Sequence, residues 1–89
     1  MRIIRRTAQF KKDVKRVEKQ GKDPHKLRKV LQALLGGERL APQYRDHVLV
    51  GQYKGTRECR IDPDWLLIYE LTESELVLIR TGSHSDLFK

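Results

Sequence analysis

The side chains able to move protons or hold phosphate near neutral pH concentrate in the second half of this sequence. They are His47, Arg60, Asp64, Arg80 and His84. Histidine exchanges protons near pH 7. Arginine meets phosphate with a planar fork of donors. The rings of Trp65 and Phe88 offer faces on which a nucleobase can stack. Together these are the parts of a metal-free ribonuclease. One group takes the proton of a ribose 2′-OH, another protonates the leaving 5′-oxygen, and cations stabilise the charge building on the phosphate.

Each of these residues also has a plainer structural reading. Trp65 can be core, as large aromatics often are. Asp64 can be a turn residue, and Arg60 and Arg80 can be solvated charges at a sheet edge. His25, in the first turn of a helix, reads as an exposed polar residue. Other chemistries have no signature here. The sequence holds no CxxC or HExxH motif and no paired histidines at helical spacing, so it predicts no metal site and no cofactor. It has no glycine-rich phosphate loop and no GxSxG elbow. Cys59, the single cysteine, cannot form an internal disulfide and reads as a small packed residue within a strand.

Charge narrows the class of partner. The 89 residues carry a net charge of +7, and residues 1–30 alone hold 12 Lys/Arg against 3 Asp/Glu. Residues 31–89 hold 7 against 9. One basic third therefore carries the whole excess, which points to a polyanionic partner such as nucleic acid. No apolar run approaches the ~18 residues of a membrane span, and the first residues lack the apolar stretch of a secretory leader. With one cysteine, the expectation is a soluble cytoplasmic protein without a membrane partner.

The elements that must position these residues are legible from periodicity. Ile3 and Ile4, set among arginines, suggest a short strand. Thr7 precedes a helix whose apolar face is Phe10, Val14 and Val17 and whose other faces carry Lys11, Lys12 and Lys15. Gly21 ends it. Asp23-Pro24 opens a second helix with the stripe Leu27, Val30, Leu31 and Leu34, stopped by Gly36-Gly37. The two should form an antiparallel hairpin. Residues 38–55 read as mostly irregular. Arg57–Ile61, Trp65–Leu71 and Leu76–Thr81 read as strands, with a turn or bulge at Asp62-Pro63-Asp64 and a short tail after Gly82. The result is one α+β domain over residues 1–89, ordered β-α-α-β-β-β.

Several strings in this frame occur together: Asp46-His47, Gly51, Lys54-Gly55 with Arg57, Pro63-Asp64-Trp65, Leu67-Ile68-Tyr69, Arg80-Thr81-Gly82-Ser83-His84 and Leu87-Phe88. With them the sequence closely resembles the YafQ toxins of the RelE/ParE superfamily, from bacterial type II toxin–antitoxin systems. The resemblance spans nearly the whole chain and is most specific over residues 45–88. It implies a RelE-like fold, an antiparallel sheet with a helical hairpin packed on it. It implies endoribonucleolytic cleavage of mRNA in the A site of the small ribosomal subunit, a cognate antitoxin that blocks the toxin, and contact with operator DNA only through that antitoxin. His47, Asp64 and His84 match catalytic residues of the family, Trp65 an aromatic neighbour, Phe88 the terminal aromatic that helps hold RNA, and Arg80 a phosphate ligand. Lys54 joins the RNA-contacting set, and Lys11, Lys12 and Lys15 would grip ribosomal RNA. Arg60 stands where the family has a further histidine. Arginine cannot shuttle protons near neutral pH, so its part would be to stabilise phosphate charge, with His84 the acid and Asp64 or His47 the base.

Two rival readings remain at this level. One is a ParE-like inhibitor of DNA gyrase with the same fold. The other is a basic RNA- or partner-binding module whose histidines are incidental.

Overall fold

A computed structural model describes residues 2–88. Thr7 opens α1 (Ala8–Lys19): its hydroxyl accepts from the Phe10 amide and donates to the Ile79 carbonyl, so one side chain starts the helix and ties it to a strand. Asp23 caps α2 (Pro24–Leu35) by accepting from the His25 amide. The link between them turns at Gly21, whose φ of +83° favours glycine.

Five strands form one sheet: β1 (Ile3–Arg6), β2 (His47–Val48), β3 (Arg57–Asp62), β4 (Trp65–Leu71) and β5 (Glu75–Gly82), in the order β1-β5-β4-β3-β2. The sheet is mixed. β1 runs parallel to β5, and the other pairs are antiparallel. Two isoleucines among arginines mark a strand but carry no information about its direction, so an all-antiparallel sheet was the natural expectation and this edge departs from it.

Alternation along the strands separates two faces. Cys59, Ile61, Trp65, Leu67, Tyr69, Leu76 and Leu78 face the helices and pack with Phe10, Val17, Val30 and Leu34. Each such side chain contributes roughly 1.5–3 kcal/mol by leaving water. α1 lies against β5 and α2 against β3. On the opposite face a smaller cluster of Leu66, Ile68 and Leu87 gathers Leu49, Tyr53 and Ile79.

Four short elements lie where the sequence suggested none. Residues 38–55 contain β2 and one-turn 3₁₀ segments at Pro42–Tyr44 and Gly51–Tyr53, and the C-terminal tail contains a one-turn helix, α3 (His84–Leu87). A two-residue strand has no periodicity to detect. α3 does have a signal: Ser83 and Asp86 form a reciprocal capping box.

β1 ends before β5 does, so the last residues of β5 have no strand partner on that side. α1 closes it with two side chains. The Thr81 amide donates to Asp13, and Arg16 donates to the Thr81 carbonyl at 2.8 Å. Asp13 has no exposed surface and also accepts from Gln9, Arg16 and Arg80. Burial pushes its carboxyl pKa up, but these donors outweigh burial and hold it below the ordinary aspartate value.

Candidate active site

The face of the sheet opposite α1 and α2 carries a cleft of about 480 Å³ lined by Arg45, His47, Glu58, Arg60, His84 and Phe88. Strand register assembles most of it. Glu58 and Arg60 alternate with buried Cys59 and so point away from the helices, opposite Ile68 and Leu66 of β4. β2 pairs His47 with Glu58, which places His47 Nε2 3.9 Å from a Glu58 carboxylate oxygen. His47 Nδ1 lies 2.6 Å from the Arg45 carbonyl oxygen. A carbonyl only accepts, so Nδ1 carries the proton and Nε2 of the neutral ring keeps its lone pair.

His84 reaches the same cleft from the start of α3. Its backbone amide donates to the Asp64 carboxylate at 3.3 Å. Phe88 packs edge-on to Tyr53, with centroids 5.7 Å apart, and lies 5.8 Å from the His84 ring. It keeps 39% of its surface exposed, enough to offer a ring face. Arg60 Nε is shielded from solvent yet has no hydrogen-bond partner among the described residues. A buried guanidinium nitrogen left unpaired is costly, and an anion in the cleft would supply the missing acceptor.

This geometry stands beside three close likenesses. The family described as "Bacterial toxin of type II toxin-antitoxin system, YafQ" matches residues 2–89. The chain belongs to the YafQ toxin family. It is 42% identical over 88 residues to the mRNA interferase toxin YafQ of Escherichia coli K12, covering 98% of this chain and 96% of that protein. The crystal structure of YafQ from E. coli BL21(DE3) superposes with a TM-score of 0.94 at 40% identity, covering all of both chains. YafQ in the E. coli DinJ–YafQ complex superposes with a TM-score of 0.93 at 41% identity, again over both full chains. The α+β fold read from the sequence is therefore the YafQ fold.

Of the site residues expected from sequence, the cleft of this YafQ-family chain brings together His47, Arg60, His84 and Phe88, with Asp64 bound behind His84. One expectation is corrected. Trp65 is only 1% exposed and its indole N–H donates to the Thr81 hydroxyl at 2.8 Å, so it has no free face for a base and belongs to the core. Arg80 donates to Asp13 through Nε at 2.8 Å and Nη2 at 3.2 Å and to the Tyr53 hydroxyl through Nη1 at 3.5 Å, and it stands outside the cleft lining.

The lysines expected to contact RNA lie elsewhere. Lys11, Lys12 and Lys15 are exposed on α1, across the sheet from the cleft, and Lys54 is exposed after the Gly51–Tyr53 turn, outside the cleft lining. Sequence reasoning missed Arg45 and Glu58. Glu58 had a faint signal, a charged residue inside an apolar strand two positions before Arg60. Asp46, quoted only as part of a motif, anchors the β2 region by accepting from the Tyr69 hydroxyl at 2.6 Å and Arg57 Nε at 3.2 Å. Burial, then the bond to Asp46, pushes the Tyr69 phenol pKa up, so that hydroxyl stays a donor.

Proposed function

We propose that this chain is the toxin of a type II toxin–antitoxin pair and acts as an endoribonuclease that cuts mRNA in the ribosomal A site. The observation that carries this reading is one cleft holding two histidines and an unpartnered buried guanidinium nitrogen. Membership of a family with an mRNA interferase relative supports it.

His47 is the general base. Its Nε2 lone pair removes the proton of the ribose 2′-OH, and buried Glu58 beside it stabilises the imidazolium that forms. The 2′-oxygen then bonds to phosphorus as the P–O5′ bond breaks. His84 gives its proton to O5′, leaving a 2′,3′-cyclic phosphate on one fragment and a 5′-hydroxyl on the other. Arg60 and Arg45 stabilise the charge on the phosphate oxygens, and Phe88 orients a base. Asp64 acts as a positioning residue, holding the His84 backbone. These side chains supply both proton transfers and the phosphate's counter-charge, so the reaction is expected to proceed without a metal or cofactor and to survive EDTA.

The antitoxin is a partner protein of the kind seen with YafQ in the DinJ–YafQ complex, and operator DNA is reached only through it. The lysines of α1 contact ribosomal RNA. No helix among the described residues is long and apolar enough to cross a membrane, and the site of action is the cytoplasm.

The test is primer extension on mRNA from a translating extract, with wild type and His84→Ala side by side. Wild type should produce cuts at in-frame codons, and His84→Ala should lose about 10²-fold or more of that cleavage. Growth arrest without cuts would refute the reading and turn attention to gyrase. Equal cleavage by both proteins would remove His84 from the mechanism.

A further inference from the structure

The cleft does not end at Arg60. A second cleft of about 530 Å³ continues past the end of β3 to α2 and shares Arg45 and Arg60 with the first. Lys26 and Lys29 reach it from α2, Tyr44 from the turn before Arg45, and Asp62 from the end of β3. Four cations therefore face one carboxylate, and that carboxylate is taken: Lys26 Nζ donates to its two oxygens at 3.0 and 2.9 Å. The Lys29, Arg45 and Arg60 side chains have no ion-pair partner among the described residues. Arg45 adds a second observation. It is the one non-glycine residue with positive φ, +48°, among those described. That left-handed backbone is costly for a side-chain-bearing residue, and here it sits where the two clefts meet.

Uncompensated cations gathered along a groove concentrate anions. A basic track beside an aromatic ring is the pattern on which single-stranded nucleic acid binds, phosphates on the cations and a base against the ring. Tyr44, half-buried against the core, presents such a ring. We infer that the second cleft is a phosphate-binding subsite for single-stranded RNA, taking the strand that runs away from the scissile phosphate. This rests on the ribonuclease reading of the adjoining cleft.

The test uses the full chain and uridine oligonucleotides of three and eight residues, 2′-O-methylated so that they bind without reacting. Wild type should bind the octamer more tightly than the trimer. Lys26→Gln combined with Lys29→Gln should abolish most of that advantage. It should also flatten the fall of log K with log salt concentration by about 0.7 for each phosphate the variant no longer neutralises. Both lysines are exposed and the Lys26–Asp62 pair is a surface one of little worth, so the variant should keep a urea midpoint close to that of wild type. Equal slopes and equal octamer affinity would overturn the subsite. Loss of polyglutamate binding with RNA binding intact would also overturn it, assigning the groove to an acidic protein segment. His84→Ala in the primer-extension assay separates the two failures. If that variant is dead while the lysine variant binds RNA as wild type does, the subsite alone falls. If that variant cleaves normally, the ribonuclease reading falls with it.

Discussion

Asp13→Asn should damage this protein more than its distance from the cleft suggests. The carboxylate is fully buried and accepts from Arg80, Arg16, Gln9 and the Thr81 amide. Asparagine keeps the shape but removes the charge and turns one acceptor into a donor facing two guanidinium groups. Breaking a buried ion pair from one side costs about 3–5 kcal/mol. The Arg80 and Arg16 side chains retain 21% and 33% of their exposure, so water relieves part of the loss and the low end applies, about 3 kcal/mol. For a domain of this size that is a fall of roughly 12–24 °C in Tm.

The assay is urea unfolding followed through Trp65, the single tryptophan, which is bonded to the same Thr81 that Asp13 holds. pH supplies a second check. A carboxylate whose folded pKa is depressed contributes stability that is complete above its unfolded value near 4, and that is lost as pH falls through the folded value. The gap between wild type and Asp13→Asn should therefore be full at pH 7 and narrow below about pH 4. A gap under 1 kcal/mol at pH 7, or one that is the same at pH 7 and pH 3, would refute the reasoning.

Other perturbations separate core from site. Trp65→Phe should cost about 2 kcal/mol through reduced volume and the missing bond to Thr81, and the folded variant should still bind RNA in a filter assay. Gly82→Ala should lower both the urea midpoint and mRNA cleavage. Residue 82 has φ +154°, and a Cβ there would collide with Arg16 Nη2 and approach the Asp86 side chain to 3.1 Å, pushing away the helix that carries His84. Cys59 should resist thiol reagents until the protein unfolds. Burial, then the Asp46 and Glu58 carboxylates, pushes the thiol up to about 12, so native protein should give no fast phase with Ellman's reagent at pH 8.

What the sequence determined by itself was local. Both long helices begin at their capping residues, Thr7 and Asp23, and end before Gly21 and Gly36, because helix starts and stops are written in adjacent residues. β3, β4 and β5 follow from their apolar runs and from the turn at Asp62-Pro63-Asp64. The residue types for ribonuclease chemistry were equally visible, since chemistry belongs to side chains and not to folds. Asp13 also left a trace: it lies in the apolar stripe between Phe10 and Val17, where a lone carboxylate needs buried partners.

Tertiary structure decided which of those residues meet. His47 sits beside Glu58 only through the register of a two-residue strand too short to carry a period. Trp65 and Arg80 have types suited to RNA, yet packing gave their polar atoms to Thr81 and Asp13. Arg45 entered the cleft through a left-handed backbone that nothing in its neighbours announces. In each case the deciding interaction joins residues distant in the chain or rests on a single backbone angle, and neither is encoded in local periodicity.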